Sequence, residues 1–164
     1  MLKIYQAETK EHIDITKLLF LEYLDFMKNE FEQYAAMQWL IDYYKDFEKE
    51  IEALPGTYDA PKGCILLVEY NNQAIGCVAL EEHGDGICEM KRLYIKPEFQ
   101  RRGIATILCR SLFDKAIVMG YTHLRLGTAI QNAKYLYKSL GFTEIEPFDH
   151  VPVDGVVFLE LKLI

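Results

Sequence analysis

The sequence predicts a single α/β domain with a mixed sheet, on three observations. Residues 64–95 read as apolar strand runs joined by short polar turns, the pattern of an antiparallel meander. Residues 103–119 then form an apolar-periodic helix leading to a strand at 123–127, as in a right-handed crossover between parallel strands. Ahead of both lie two long helix-periodic stretches that can cover a sheet face.

In chain order, residues 3–7 form a first strand, with Leu2, Ile4 and Gln6 alternating against Lys3 and Tyr5. Thr9 followed by Glu11 and His12 signals the start of a helix over 11–28, where Phe20, Tyr23, Leu24 and Met27 recur at helical spacing. A second helix over 31–54 carries Leu40, Tyr43, Tyr44, Phe47, Ile51 and Leu54 as one stripe and stops at Pro55-Gly56. Pro61-Lys62-Gly63 opens the sheet. A strand over 64–70 turns at Asn71-Asn72 into a return strand over 74–82, with Gly76 as a candidate bulge. His83-Gly84-Asp85-Gly86 turns the chain again into a strand over 87–95. Gly120 caps the helix over 103–119, and Gly141 caps a short one over 132–140. Strands over 142–145 and 156–163 finish the sheet.

At 164 residues and 51% hydrophobic, the chain buries a sizeable core as one domain and does not read as disordered. No apolar run reaches the ~18 residues of a membrane span, and the N-terminus lacks a signal-peptide core. A cytoplasmic protein is the simplest expectation. Cys64, Cys77, Cys88 and Cys109 show no C-x-x-C spacing and are expected as reduced core residues, with no metal site. The net charge of −7 is uneven. Residues 91–110 hold six Lys/Arg against one Glu, whereas residues 1–60 hold six Lys against thirteen Asp/Glu. That arrangement suits an anionic cofactor and a cationic substrate, though acidic surfaces also serve solubility alone. No broad basic face points to nucleic acid.

The stretch 89–106, E-M-K-R-L-Y-I-K-P-E-F-Q-R-R-G-I-A-T, carries the chemistry. A strand stops at Pro97, and Gln100-Arg101-Arg102-Gly103-Ile104-Ala105 opens a helix. The first N–H groups of a helix lack intrahelical partners and point toward an anion; two arginines beside them add charge. This is a seat for a diphosphate, or a helix terminus with solvated arginines. The phosphate motifs G-x-x-x-x-G-K-[ST] and G-x-G-x-x-G are absent.

Q-x-x-G-x-A after a strand and a proline resembles the acyl-CoA-binding motif of the GNAT superfamily of N-acetyltransferases. N-A-K-Y-L-Y-K-S-L-G-F, from Asn132 to Phe142, resembles that family's second signature. The likeness covers residues 63–164 and implies a mixed, mostly antiparallel sheet of about six or seven strands flanked by helices. It makes residues 1–60 the strand and helices on the acceptor side, all within one domain spanning 1–164. There Glu22, Tyr23, Asp25, Tyr34, Trp39, Asp42, Tyr43 and Tyr44 either build an aromatic, acidic pocket for a cation or form a core stripe with a solvated face.

The resemblance also implies acetyl-CoA as co-substrate. Its diphosphate would sit on the N–H groups of Arg101, Arg102, Gly103, Ile104, Ala105 and Thr106, with Gln100 in the motif's first position. Its pantetheine arm would pair with the strand edge Leu93-Tyr94-Ile95, where a backbone N–H would face the thioester oxygen. Tyr137 matches the tyrosine many members use near the thioester sulfur, as general acid, or is a packed helix tyrosine. Tyr135 points elsewhere. Asn132 is an N-cap, a cofactor contact, or both. Glu89 stands where some members carry a general base; otherwise it is a strand carboxylate paired with Lys91 or Arg125. Glu81, Glu82 and His83 are alternatives. No cysteine stands where an acetyl carrier would, so the expected reaction is direct transfer to a primary amine, foremost a small cationic metabolite. A protein lysine or N-terminus, a non-catalytic acyl-CoA-sensing module, and a homodimer face on the N-terminal helices remain open.

Overall fold

The computed structural model describes residues 1–33 and 35–164. Seven strands form one sheet: β1 (Leu2–Gln6), β2 (Cys64–Tyr70), β3 (Gln73–Gly84), β4 (Ile87–Ile95), β5 (His123–Thr128), β6 (Thr143–Ile145) and β7 (Val157–Lys162). Their spatial order is β1-β2-β3-β4-β5-β7-β6. Only β4 and β5 run parallel; the other neighbours are antiparallel. Among the described residues four α-helices flank the sheet: α1 (Lys10–Phe31), α2 (Met37–Glu52), α3 (Ile104–Val118) and α4 (Gln131–Ser139).

The strand alternation divides the core in two. Cys64, Leu66, Val78, Leu80 and Met90 pack with Leu108, Cys109 and Leu112 of α3 and Tyr137 of α4. From the same strands, Ile65, Leu67, Cys77, Ala79 and Tyr94 pack with Leu19, Phe20 and Leu24 of α1 and Phe47 and Ile51 of α2. These strands read as nearly unbroken apolar runs because both faces are covered. The four cysteines are free and buried in this core.

Local chemistry sets the turns. Asn71 and Asn72 have φ of 49° and 67°, and Asp85 and Gly86 have φ of 56° and 78°, so both hairpins turn on two residues of left-handed backbone. Thr9 caps α1 in a reciprocal box: its hydroxyl accepts from the His12 N–H at 3.1 Å, and His12 Nδ1 accepts from the Thr9 N–H at 3.3 Å.

The helix boundaries differ from the sequence expectation. Phe31 ends α1 instead of starting α2, because it is buried with Leu40 and Val153 in a third small cluster. Long-range burial outweighs the local continuity of the apolar pattern there. Helix α4 begins at Gln131 with Ile130 in the cap position, so Asn132 is not an N-cap; the Thr128 hydroxyl accepts the Ile130 N–H instead. No helix among the described residues is long and apolar enough to cross a membrane.

Candidate functional site

The site begins with a fork in the sheet. β4 and β5 pair only from Ile87–His123 to Glu89–Arg125. Beyond that point β4 stays with β3 and β5 stays with β7. A cavity of about 670 Å³ lies by this fork. Its walls come from β4 (Glu89 to Leu93), β5 and the start of α4, the α1 and α2 aromatics Tyr23, Trp39 and Tyr43, and a segment after β6 contributing Phe148, Asp149, His150 and Val153.

A bulge in β4 assigns the side chains. Cys77 pairs with Tyr94 but Ala79 with Lys91, so two residues of β4 oppose Val78. Arg92, at φ 62°, is the residue of left-handed backbone at that step. Met90, Leu93 and Ile95 consequently belong to the α3-side core, although positions 90 and 93 would face opposite ways in a regular strand. Tyr94 turns to the α1 side and meets Tyr23 edge-on. A smaller irregularity in β3, near Gly76, answers the sequence expectation of a bulge: a Cβ there would come within 2.6 Å of the Tyr94 carbonyl oxygen.

Glu89 faces the cavity and is largely buried, with its side chain 16% exposed. Neither Lys91 nor Arg125 is its ion-pair partner. His83 Nε2 lies 2.6 Å from Glu89 Oε1, Lys91 binds Glu81 at 3.3 Å, and Arg125 binds Glu160 at 2.6 Å. Register explains this. Glu89 stands opposite Glu81 in the ladder, and His83 lies two residues farther along β3. Burial raises the Glu89 pKa above the ordinary carboxylate range, outweighing the Lys91 and His83 charges that pull it down. Donor atoms of Glu81, His83 and Glu89 lie within 4.8 Å of one another, close enough to share a cation. Lys91 already occupies Glu81, and His83 already bonds Glu89.

Tyr137 also lines the cavity and is 6% exposed. Burial drives its phenol pKa far up, with Cys109 and Tyr23 adding to the rise. Tyr135, by contrast, is 65% exposed. Glu89, Leu93 and Tyr137 are thus brought to one cavity, whereas Asn132 is exposed on the first turn of α4 and does not line it.

The loop before α3 is a separate surface. Gln100 Nε2 donates to the Ile95 carbonyl at 2.9 Å and ties the loop to the end of β4. Arg101 (φ 61°) and Gly103 (φ 78°) supply left-handed backbone, and Gly103 is the N-cap of α3. The Ile107 N–H is the first to reach back into the helix, to the Gly103 carbonyl at 3.2 Å. The N–H groups of Ile104, Ala105 and Thr106 therefore lie in the turn whose donors a helix leaves without internal partners. Arg101 and Arg102 are exposed, and the Arg102 guanidinium lies 5.4 Å from the Phe99 ring. The basic patch is narrower than composition suggested: Lys91, Arg92 and Lys96 pair with Glu81, Glu50 and Glu22.

Among the acceptor-side residues named from sequence, Tyr23, Trp39, Asp42 and Tyr43 line the cavity. Glu22 and Asp25 lie in a shallow depression outside it, Tyr44 packs against the α1–α2 core, and Tyr34 lies outside the described residues. Sequence reasoning did not single out Asp46, Phe148, His150 or the Arg92–Glu50 pair. The signal for the last was present: Glu50 interrupts the neighbourhood of an apolar stripe, and Met90 and Leu93 are out of phase.

Known proteins resemble the chain, some over nearly its whole length and some over part of it. An N-acetyltransferase of Schizosaccharomyces pombe is 30% identical over 93% of this chain and 96% of its own length. Human N-acetylaspartate synthetase is 32% identical, but over 58% of this chain and 33% of its own length. The solved structure of PaiA N-acetyltransferase from Thermoplasma acidophilum in complex with coenzyme A covers 99% of both chains with a TM-score of 0.74 at 17% identity, a likeness of fold. A model of the acetyltransferase (GNAT) family matches residues 24–142, through the α1–α2 wall, the forked strands and the α3 loop, and the chain belongs to that family.

Proposed function

We propose that this acetyltransferase moves the acetyl group of acetyl-CoA to a primary amine of a small cationic metabolite, by direct attack in a ternary complex. One observation carries the reading: the fork between β4 and β5 opens beside a cavity that holds Glu89 and Tyr137, with the motif loop at the far end of the same strand.

In this reading the N–H groups at the start of α3 hold the diphosphate, with Arg101 and Arg102 adding charge. Gln100 serves by fixing the loop to β4. The edge Leu93-Tyr94-Ile95 holds the pantetheine arm, and a backbone N–H at Leu93 faces the thioester oxygen. Glu89 takes the ammonium proton, which His83 can help pass to solvent. The amine nitrogen attacks the carbonyl carbon, the carbon–sulfur bond breaks, Tyr137 supplies a proton to the departing thiolate, and the second proton that the nitrogen loses as the amide forms goes to solvent, from which the Tyr137 phenolate is protonated again. A phenol with so high a pKa stays protonated across the working range, as a donor must.

The preference for a cationic amine rests on charge. The cavity cations Lys91 and Arg92 are neutralised by Glu81 and Glu50. Asp42, Asp46 and Asp149 also line the cavity, with no ion-pair partner among the described residues. Trp39 stacks on Tyr43 at 5.2 Å beside them. A second reading, transfer to the α-amine of an amino acid, is favoured by the name of the N-acetylaspartate synthetase that one part of the chain resembles.

Calorimetric titration with acetyl-CoA at low and moderate salt tests the proposal. Saturable binding that weakens with salt and with Arg101→Ala/Arg102→Ala is the expected result, followed by thiol release with a panel of small amines. Absence of binding at millimolar ligand removes the cofactor seat and the catalytic roles with it. Turnover of aspartate or lysine-bearing peptides but of no cationic amine overturns the acceptor class.

A further inference from the structure

We infer that Arg92 is a positioning residue: clamped by Glu50 and Tyr43 of α2, it holds the bulge in β4 that aims the Leu93 backbone into the fork. The inference rests on the thioester seat proposed above.

The guanidinium uses both of its edges. Nε and Nη2 donate to the two oxygens of Glu50, each at 2.9 Å, and Nη1 donates to the Tyr43 hydroxyl at 3.0 Å. Its Cζ lies 4.0 Å from the Phe47 ring centroid. Tyr43, Phe47 and Glu50 sit four and three residues apart, so they share one face of α2. The arginine side chain is only 10% exposed, so these contacts are made away from bulk water.

The backbone at Arg92 needs such a hold. Its φ of 62° lies in the left-handed region, which a residue with a Cβ rarely enters inside a strand. The Cys77 thiol also donates weakly to the Arg92 carbonyl, at 3.4 Å. In this inference the clamp is the side-chain contact that opposes a return to regular pleating. Regular pleating would move Leu93 to the opposite face, because side-chain direction alternates with period two. Leu93 is the second residue of the bulge and lines the cavity with Glu89 and Tyr137. The clamp thus makes the acceptor-side helix α2 a support for the proposed oxyanion contact, through residues remote from the motif loop.

The test uses the full chain labelled with ¹⁵N-leucine and two probes, CoA and acetyl-CoA, which differ in the thioester carbonyl. The Leu93 amide is assigned with Leu93→Ile. In the wild type, acetyl-CoA is expected to move the Leu93 amide proton downfield relative to CoA. In Glu50→Gln and Arg92→Lys that acetyl-specific difference is expected to vanish, while both probes still saturate resonances near α3. Retention of the full difference in a folded Glu50→Gln protein overturns the inference, since a merely stabilising pair would lower the melting temperature and leave this shift intact. If either variant fails to fold, Tyr43→Phe removes one of the three donations and gives the same comparison, with a reduced difference expected. A wild type that shows no saturable shift with either probe refutes the cofactor reading itself. A wild type that binds both with no difference at Leu93 refutes the seat and the clamp together.

Discussion

Glu89 and Tyr137, the proposed base and acid, share one cavity. Burial raises both pKa values, which brings the carboxyl's toward neutral pH and keeps the phenol protonated until a strong proton acceptor reaches it. In the proposed reaction Glu89 acts only when deprotonated, so activity is expected to rise as pH climbs through its elevated pKa. Glu89→Gln should remove that acid limb from the kcat/KM profile and lower the rate by about 10²–10⁴-fold. Tyr137→Phe keeps the buried ring, so the melting temperature should change little while kcat drops by about 10²-fold or more. A pH profile unchanged by Glu89→Gln would return the base role to Glu81, Glu82 or His83. Glu50 is shifted the other way. Burial pushes it up, yet the hydrogen bonds and charge of Arg92 bring it below the usual value. Its ionised form is therefore favoured by folding. That stability is present above the ordinary carboxylate range and is lost as pH falls through the depressed folded pKa. Acid denaturation of Glu50→Gln should lack this contribution.

At the scale of the element, the loop before α3 and the irregular β3–β4 pair carry different risks. Gly103 holds φ 78° with nothing near its missing Cβ, so Gly103→Ala strains backbone but strikes no neighbour. The expected cost is about 1–2 kcal/mol by denaturant titration, with a weaker acetyl-CoA affinity if the proposed seat brings the diphosphate against this backbone. Gly76 is the reverse case. A methyl there would lie 2.6 Å from both the Tyr94 carbonyl oxygen and Ile95 Cδ1, at ordinary strand backbone. Gly76→Ala is expected to cost roughly 1–3 kcal/mol through overpacking and to disturb the strand edge that Tyr94 and Ile95 provide. If Gly76→Ala proved neutral, β3 and β4 would have room to separate that the packing does not show.

The whole molecule is a sheet with a large core on each face and a small third cluster, and the proposed site lies where the sheet forks. Leu67 on the α1–α2 side and Leu112 on the α3 side are each fully buried, in clusters separated by the sheet. Leu67→Ala and Leu112→Ala should each destabilise by about 2–5 kcal/mol. Lacking shared partners, the two losses should add within about 0.5 kcal/mol in the double variant. A larger coupling would mean that strain crosses the sheet, and hence that acceptor-side and cofactor-side layers communicate through more than the Arg92 clamp.

The sequence by itself determined the parts that depend on near neighbours in the chain. Asn71-Asn72 and Asp85-Gly86 dictated two hairpins, Thr9 capped a helix, and runs of Val, Ile, Leu and Cys marked strands buried on both faces. The motif loop and Asn132–Phe142 pointed to the family because backbone geometry at a helix start tolerates few residues. Tertiary structure alone decided what brings distant residues together. The fork after Glu89 depends on where β5 leaves β4 for β7, which no local pattern records. His83 became the partner of Glu89 through strand register, and Phe31 joined α1 because Val153, far along the chain, buries it. Lys91, Arg92 and Lys96 counted as part of a basic patch in the sequence, yet each is ion-paired to an acid from another element. Charge along a chain is additive, whereas charge in a fold depends on which acids a strand meets across the sheet.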